Sequence, residues 1–106
     1  MKRLLLSLAV CLSLSAFGQK ITVVQINADW NSSNTRKDLS TLQGCEYVFG
    51  WLEDQSPAVK KNVTSVPTLI IYKDGKPVKI YRGDISLKLD VTFDEIQKQV
   101  WAIKED

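Results

Sequence analysis

The chain of 106 residues carries 14 basic and 12 acidic residues, two cysteines and no histidine, and 44% of its residues are hydrophobic. This length and apolar content are typical of one globular domain and exclude a disordered tail. Without histidine the chain cannot form a Ser-His-Asp or Cys-His catalytic group, and two cysteines alone cannot hold zinc. We therefore expect no metal and no cofactor.

The amino-terminal segment has the pattern of an export signal. A positive start precedes an apolar stretch over residues 4–14, and Ala16-Phe17-Gly18 offers small residues for cleavage after Gly18. The apolar stretch is shorter than the ~20 residues of a membrane-spanning helix, which disfavours an uncleaved anchor. The sequence predicts a signal peptide over 1–18, one domain over 19–106, export to the periplasm or the extracellular space, and no membrane association after cleavage.

Cleavage would change both the charge and the thiol content of the protein. Loss of Lys2 and Arg3 from the 14 basic residues leaves 12, which equals the 12 acidic residues, and loss of Cys11 leaves only Cys45. A neutral domain without a basic stripe gives no electrostatic case for nucleic acid binding. One cysteine cannot form an internal disulfide, although in an oxidising compartment it can pair with a second chain.

The first half of the domain is predicted to be a strand, a short helix and a second strand. A β-branched, apolar run predicts a strand over 21–28. After a polar break, a short helix over about 35–43 is expected to end at Gly44. An aromatic-rich strand over 45–52 follows, and Ser56-Pro57 is typical of the start of a helical turn.

The second half is predicted to be a β-hairpin followed by a helix. Strands over 68–72 and 77–81 flank an Asp-Gly turn, and a capping box at Thr92 opens an amphipathic helix. Taken together, the elements predict an α/β domain with a four-stranded mixed sheet, βαβ and then ββα, with flanking helices.

Three motifs in this order resemble the thioredoxin family. Ala28-Asp29-Trp30 matches the residues before that family's CxxC motif, and Ser65-Val66-Pro67-Thr68 matches its cis-proline loop. Tyr72-Lys73-Asp74-Gly75-Lys76, followed by Gly83, matches the hairpin beyond that loop. The resemblance covers nearly all of residues 21–103 and implies a minimal thioredoxin-like fold without the family's first strand and helix. It also implies a cis Val66–Pro67 bond beside the Trp30 turn.

Two departures from the family concern its chemistry. Asn31 and Asn34 stand where the family has its two cysteines, so the thiolate and the resolving thiol of thioredoxin chemistry are both missing. The simplest interpretation of Asn31-Ser32-Ser33-Asn34 is helix capping. Gln25 stands where redox-active members often carry a buried aspartate, and an amide cannot exchange a proton; a partly exposed strand position would explain Gln25 equally well.

Cys45 begins the predicted second strand, whereas Trp30 follows the end of the first. In a parallel pair these positions lie at opposite ends of the sheet, more than about 15 Å apart. We interpret Cys45 as a small buried apolar residue, and an intermolecular disulfide that links two chains stays open as an alternative.

The predicted function is binding without catalysis. In the family, the backbone before the cis-proline pairs with an extended peptide. The resemblance therefore implies that Trp30, Val66 and Pro67 bind an extended peptide or a partner protein. Two alternatives stay open, namely a thiol-disulfide oxidoreductase that uses Cys45 with an external thiol, and a structural subunit of an envelope or particle assembly.

Overall fold

The structure is a computed structural model, and it describes residues 20–105. The predicted signal peptide over 1–18 and its cleavage site lie outside the described residues. Within 20–105, no helix has the length and apolar character needed to cross a membrane.

Four strands form one mixed sheet with the order β2-β1-β3-β4. β1 pairs with β2 in parallel, whereas the β1–β3 and β3–β4 pairs are antiparallel. All seven residues of β1 are buried, which agrees with its β-branched, apolar composition. The predicted four-stranded mixed sheet is therefore confirmed; the strands are β1 (Ile21–Asn27), β2 (Glu46–Trp51), β3 (Thr68–Lys73) and β4 (Lys76–Arg82).

The helix expected over 35–43 is wrong. The chain between β1 and β2 forms two 3₁₀ turns instead, at Asp29–Asn34 and Asp38–Thr41. One reason is the Gln25 side chain, which accepts a hydrogen bond from the Arg36 N–H and donates one to the Arg36 carbonyl, both at 2.9 Å. The Arg36 carbonyl thus bonds to a side chain instead of to the main-chain N–H four residues later, which would be its partner in an α-helix. The segment also has few apolar residues besides Leu39, so the burial of side chains would stabilise a longer helix only weakly.

Two α-helices follow the second strand. α1 (Pro57–Asn62) begins where Ser56 and Pro57 predict it, and the Ser56 hydroxyl accepts a hydrogen bond from the Val59 N–H at 3.3 Å. A further 3₁₀ turn, Leu52–Asp54, precedes it.

α2 (Phe93–Glu105) closes the domain. The Thr92 hydroxyl accepts a hydrogen bond from the Glu95 N–H at 3.1 Å, as its predicted capping position requires. Ile96 and Val100 are fully buried against the sheet.

Alternation along the strands divides the apolar residues between the two faces of the sheet. The face under α2 holds the main core, whose members are Ile21, Val23, Leu39, Leu42, Leu69, Ile71, Leu89, Ile96 and Val100. The opposite face carries Val24, Ile26 and Ile70, with α1 beside them. The long helix α2 and the short helix α1 therefore lie on opposite faces of the sheet, and α2 covers more of its face than α1 does.

Gly83 holds the loop that enters β3. The Val66–Pro67 peptide bond is cis, and the Gly83 N–H donates to the Pro67 carbonyl at 2.7 Å. A Cβ atom at Gly83 would collide with the Val66 carbonyl group. Only a residue without a side chain lets the two segments approach this closely.

We predict that Gly83→Ala lowers the free energy of unfolding by about 1–3 kcal/mol, because the new methyl group overlaps main-chain atoms that cannot move aside like a side chain. Urea denaturation measures this loss. Ile85→Ala, at a fully exposed side chain in the same loop, is the control and should change stability by less than about 0.5 kcal/mol. Equal stability of Gly83→Ala and the parent protein would contradict the close approach.

Candidate functional site

The strand register brings the predicted site residues to one end of the sheet. Ile26, near the end of β1, pairs with Thr68, the first residue of β3. The turn that contains Trp30 follows this pair on one strand, and Val66–Pro67 precedes it on the other. The Trp30 side chain is 68% exposed, whereas the side chains of Val66 and Pro67 are buried. Among these three predicted site residues, the accessible apolar group is therefore the indole ring of Trp30.

Asn31 points into the protein rather than towards solvent. It is only 4% exposed, and its Nδ2 donates to Asn27 Oδ1 at 3.0 Å and to the Leu87 carbonyl at 3.1 Å. In return, Asn27 Nδ2 donates to the Asn31 carbonyl at 2.9 Å and to Thr35 Oγ1 at 2.8 Å. Asn34 Nδ2 completes the group by donating to Asn31 Oδ1 at 2.8 Å. We call these three asparagines the amide network.

The amide network replaces the capping that the sequence suggested. The Ala28 N-cap makes no side-chain capping bond, and the Asp29 N–H that opens the turn donates to the two Glu53 carboxylate oxygens at 3.1 and 3.0 Å. The prediction that the side chains of Asn31-Ser32-Ser33-Asn34 cap this segment is therefore wrong. The carboxamides of Asn31 and Asn34 instead act as donors to other side-chain and main-chain oxygens. An amide is neither a nucleophile nor an acid–base group, so the side chains at these two positions can hold the turn by hydrogen bonds but offer no catalytic group.

Gln25 has no exposed surface, so its explanation as a partly exposed strand position is wrong. Besides its two bonds to Arg36, Gln25 Nε2 donates to the Tyr47 hydroxyl at 2.7 Å. Burial raises the pKa of Tyr47, and the hydrogen bond from Gln25 opposes that rise only in part. Because every polar group here is hydrogen-bonded, the buried amide stabilises the position of the chain after the turn.

A short loop after β4 also belongs to this end of the sheet, and the sequence analysis did not single it out. Leu87, whose carbonyl accepts from Asn31, has a φ of +64°, a conformation that leucine rarely adopts. Asp84 Oδ1 accepts a hydrogen bond from the Ser86 N–H at 2.8 Å, and this turn leaves Ile85 between them completely exposed. The Asp-x-Ser pattern was the signal that could have located the turn.

Cys45 lies far from the Trp30 turn. It directly precedes Glu46, which pairs with Thr22 near the start of β1, whereas Trp30 follows the end of β1. The length of β2, about 17 Å at the usual rise per residue, separates the two ends. Cys45 is a half-buried free thiol, and burial raises its pKa although Lys104 opposes the rise. A raised pKa leaves less of the thiolate that attacks disulfides.

Residues 20–105 contain no group of three or more carboxylate, cysteine or histidine side chains that could hold a metal ion.

Solved structures identify the fold. A point mutant of thioredoxin from Halobacterium salinarum NRC-1 matches with a TM-score of 0.63 and 19% sequence identity, over 82% of this chain and 77% of that one. At this identity the likeness shows the fold alone, so the chain has a thioredoxin-like fold. No protein-family model and no curated protein matches the sequence.

We predict that Gln25→Glu makes stability depend on pH. The new carboxylate would be buried, and one oxygen would face the Arg36 carbonyl, which Gln25 Nε2 now contacts at 2.9 Å. Both effects favour the protonated acid in the folded state, so its pKa rises above the unfolded value of about 4.3. The deficit relative to the parent protein should therefore be smallest near pH 4 and grow as the pH rises towards 7.

Urea denaturation of both proteins between pH 4 and 8 measures this difference. Gln25→Ala is the matched control, because it loses the same hydrogen bonds without adding a titrating group, and its deficit should stay constant with pH. A Gln25→Glu deficit that is equally constant would show that the carboxylate is not buried in the folded protein.

Proposed function

We propose that this protein is an exported thioredoxin-like binding module without redox activity, which binds an extended peptide or a partner protein through the Trp30 turn and the Val66–Pro67 loop. The observation that carries the proposal is the contrast within one turn, where the Asn31 amide is buried and the neighbouring Trp30 side chain is 68% exposed. The turn thus presents a binding group to solvent and keeps its amide inside.

The loss of redox chemistry follows from what occupies the turn. We infer that Asn31 and Asn34 replace the two cysteines of the CxxC motif. A thioredoxin-type reaction needs an accessible thiolate and a second thiol close by. Asn31 is inaccessible, and its amide atoms are all engaged in hydrogen bonds with Asn27, Asn34 and Leu87. The replacement supports a structural role for these positions.

Binding at this end of the sheet is supported by two kinds of group. An exposed tryptophan offers a large, rigid contact area, and tryptophan is enriched among the residues that dominate binding energies. Within residues 20–105, the main chain of Val66 forms no hydrogen bond. Main-chain groups without an internal partner bond to water or to a bound chain, and an extended peptide would use them as a strand does.

The alternative enzyme finds no support at Cys45. A thiol-disulfide oxidoreductase needs an accessible thiolate, whereas the Cys45 thiol is half-buried with a raised pKa and lies at the end of the sheet remote from Trp30. A Cys45-linked dimer and a structural role in an assembly stay predictions that no observation favours.

We predict no thioredoxin-type activity. Insulin reduction by dithiothreitol should proceed at the rate of a protein-free blank, because the Trp30 turn has no thiol and Cys45 is poorly ionised. The Cys45→Ala variant is the control and should give the same rate. Acceleration that disappears in Cys45→Ala would support the enzyme and contradict the binding module.

We predict that Trp30→Ala weakens peptide binding by at least tenfold, because truncation of a central aromatic contact commonly costs about 2 kcal/mol or more. Fluorescence anisotropy with a labelled library of unstructured peptides measures the affinity. Denaturation of the variant should show an unchanged fold, since the side chain is mostly exposed.

Trp101→Phe is the matched control for this experiment. Trp101 is also exposed, at 41%, but it packs against Gly44 beside the start of β2, at the other end of the sheet. Binding should be unchanged in this variant. Affinity that survives Trp30→Ala, or falls equally in both variants, would remove the Trp30 turn from the binding surface.

A further inference from the structure

A groove of about 370 Å³ lies on the face of the sheet that α2 does not cover. It runs between α1, which contributes Val59, and the strands β1, β3 and β4. Its volume falls within the range of small-molecule binding sites. The groove has none of Trp30, Val66 and Pro67 in its lining, although Thr68 at one end directly follows Pro67 in the chain. Binding of a ligand in the groove does not require peptide binding at the Trp30 turn.

The strand register arranges the floor of the groove into rows across the sheet. Val24, Ile70 and Ile80 are neighbours on adjacent strands and form an apolar middle row. Tyr72 and Pro77 are neighbours at one end of the groove. The three rows are spaced by two residues each, so the groove extends for about 13 Å along the strands.

The row at the other end of the groove is polar. Thr68 pairs with Arg82 in the register, and both side chains line the groove. The Thr68 hydroxyl is already occupied, because it donates to the Ser65 carbonyl at 2.6 Å. The other polar lining residues are uncharged: the amides Gln55 and Asn62 and, at the opposite end, the phenol Tyr72.

Arg82 is therefore the charged residue of the groove. Within residues 20–105, its guanidinium forms no hydrogen bond and no ion pair. A guanidinium binds carboxylates through paired hydrogen bonds, and it does so more strongly beside an apolar surface than in open water. The groove thus combines an apolar body with one unpaired positive group at its end.

From this arrangement we propose that the groove binds a medium-chain fatty acid, with its alkyl chain over Val24, Ile70 and Ile80 and its carboxylate at Arg82. If a methylene group needs about the 30 Å³ of a water molecule, the groove holds a chain of about ten to twelve carbons. Covering the partly exposed Ile80 side chain, which is 40% exposed, adds apolar burial that favours binding.

A fatty acid fits this groove better than an extended peptide does. The groove is a sheet face, which presents side chains and keeps its main-chain groups within the strand pairing. An extended peptide would leave its own main-chain groups without partners over the apolar rows. An alkyl chain has no polar groups to satisfy.

Calorimetric titration of the full chain with decanoate, below its micelle concentration, tests the proposal. The expected result is saturable binding at one site. Decyltrimethylammonium, with the same chain length and the opposite charge, should bind at least tenfold more weakly. Equal affinity for the two amphiphiles, or no saturable binding of decanoate, would overturn the proposal.

Variants then locate the site. Arg82→Gln should weaken decanoate binding by about tenfold, because a charge-assisted hydrogen bond is lost. Lys79→Gln is the matched control: Lys79 is on the same strand, but it pairs with Ile71 on the opposite face of the sheet and lies 5.3 Å from the centroid of the Tyr81 ring. The affinity of the Lys79→Gln variant for decanoate should equal that of the parent protein.

Ile80→Glu should abolish binding, because the new carboxylate adds a negative charge to the groove. The protein should stay folded, because the Ile80 side chain is partly exposed. Methyl signals of Ile70 and Ile80 in nuclear magnetic resonance spectra should shift on titration. An unchanged affinity for decanoate in Arg82→Gln would overturn the proposal. Contacts between these methyl groups and residues 1–19 in the free full chain would also overturn it, because that segment would then occupy the groove.

Discussion

The structure depends on side-chain amides that β1 carries into the protein interior. β1 is buried along its whole length, yet it includes Gln25 and Asn27, whose polar atoms cannot be left without partners. The chain that follows the strand supplies those partners at Arg36 and Asn31. The segment after β1 is therefore held against the end of its own strand, and it folds into 3₁₀ turns rather than a continuous helix.

This constraint also decides the character of the candidate site. Because Asn31 is drawn inward to Asn27 and to the Leu87 carbonyl, the adjacent Trp30 ring is left on the surface. The hydrogen bond from Asn31 to the Leu87 carbonyl also holds the loop after β4, which carries the exposed Ile85. On the other side of the site, Gly83 holds the Val66–Pro67 loop by a close main-chain contact. Several buried contacts thus support a surface whose central turn has asparagines and serines after Trp30 and no thiol.

The two faces of the sheet have different partners. α2 and the segment after β1 cover one face with a continuous apolar core. The six-residue helix α1 covers only part of the other face, and the groove beside it ends at Arg82. The inequality arises because one thirteen-residue helix buries far more apolar surface than one short helix can. This sheet therefore has two surfaces of different chemistry. One is the Trp30 turn at its end, and the other is the apolar groove with Arg82 on its partly covered face.

Much of the fold could be predicted from local patterns. The strands, the Asp-Gly hairpin, the helix start at Ser56-Pro57 and the helix after Thr92 follow from side-chain alternation, turn residues and caps, which act over a few positions. Trp30 and Val66–Pro67 were predicted from motifs and their order along the chain. The helix over 35–43 failed because Gln25 and Arg36, eleven residues apart, compete with helix formation through side-chain hydrogen bonds that no local pattern contains.

By itself, the sequence determined the element order, the absence of histidine and the presence of asparagines and absence of thiols in the Trp30 turn. Only the tertiary structure decided that Asn31 is buried, that Ile85 is exposed beside it, that Gln25 is fully enclosed, and that Arg82 stands at the end of an apolar groove. Composition and short-range spacing set which chemistry the chain can carry. The burial of a side chain and its hydrogen-bond partners depend on residues that are distant in the chain and that strand pairing brings together. Strand pairing therefore decides which side chains face solvent.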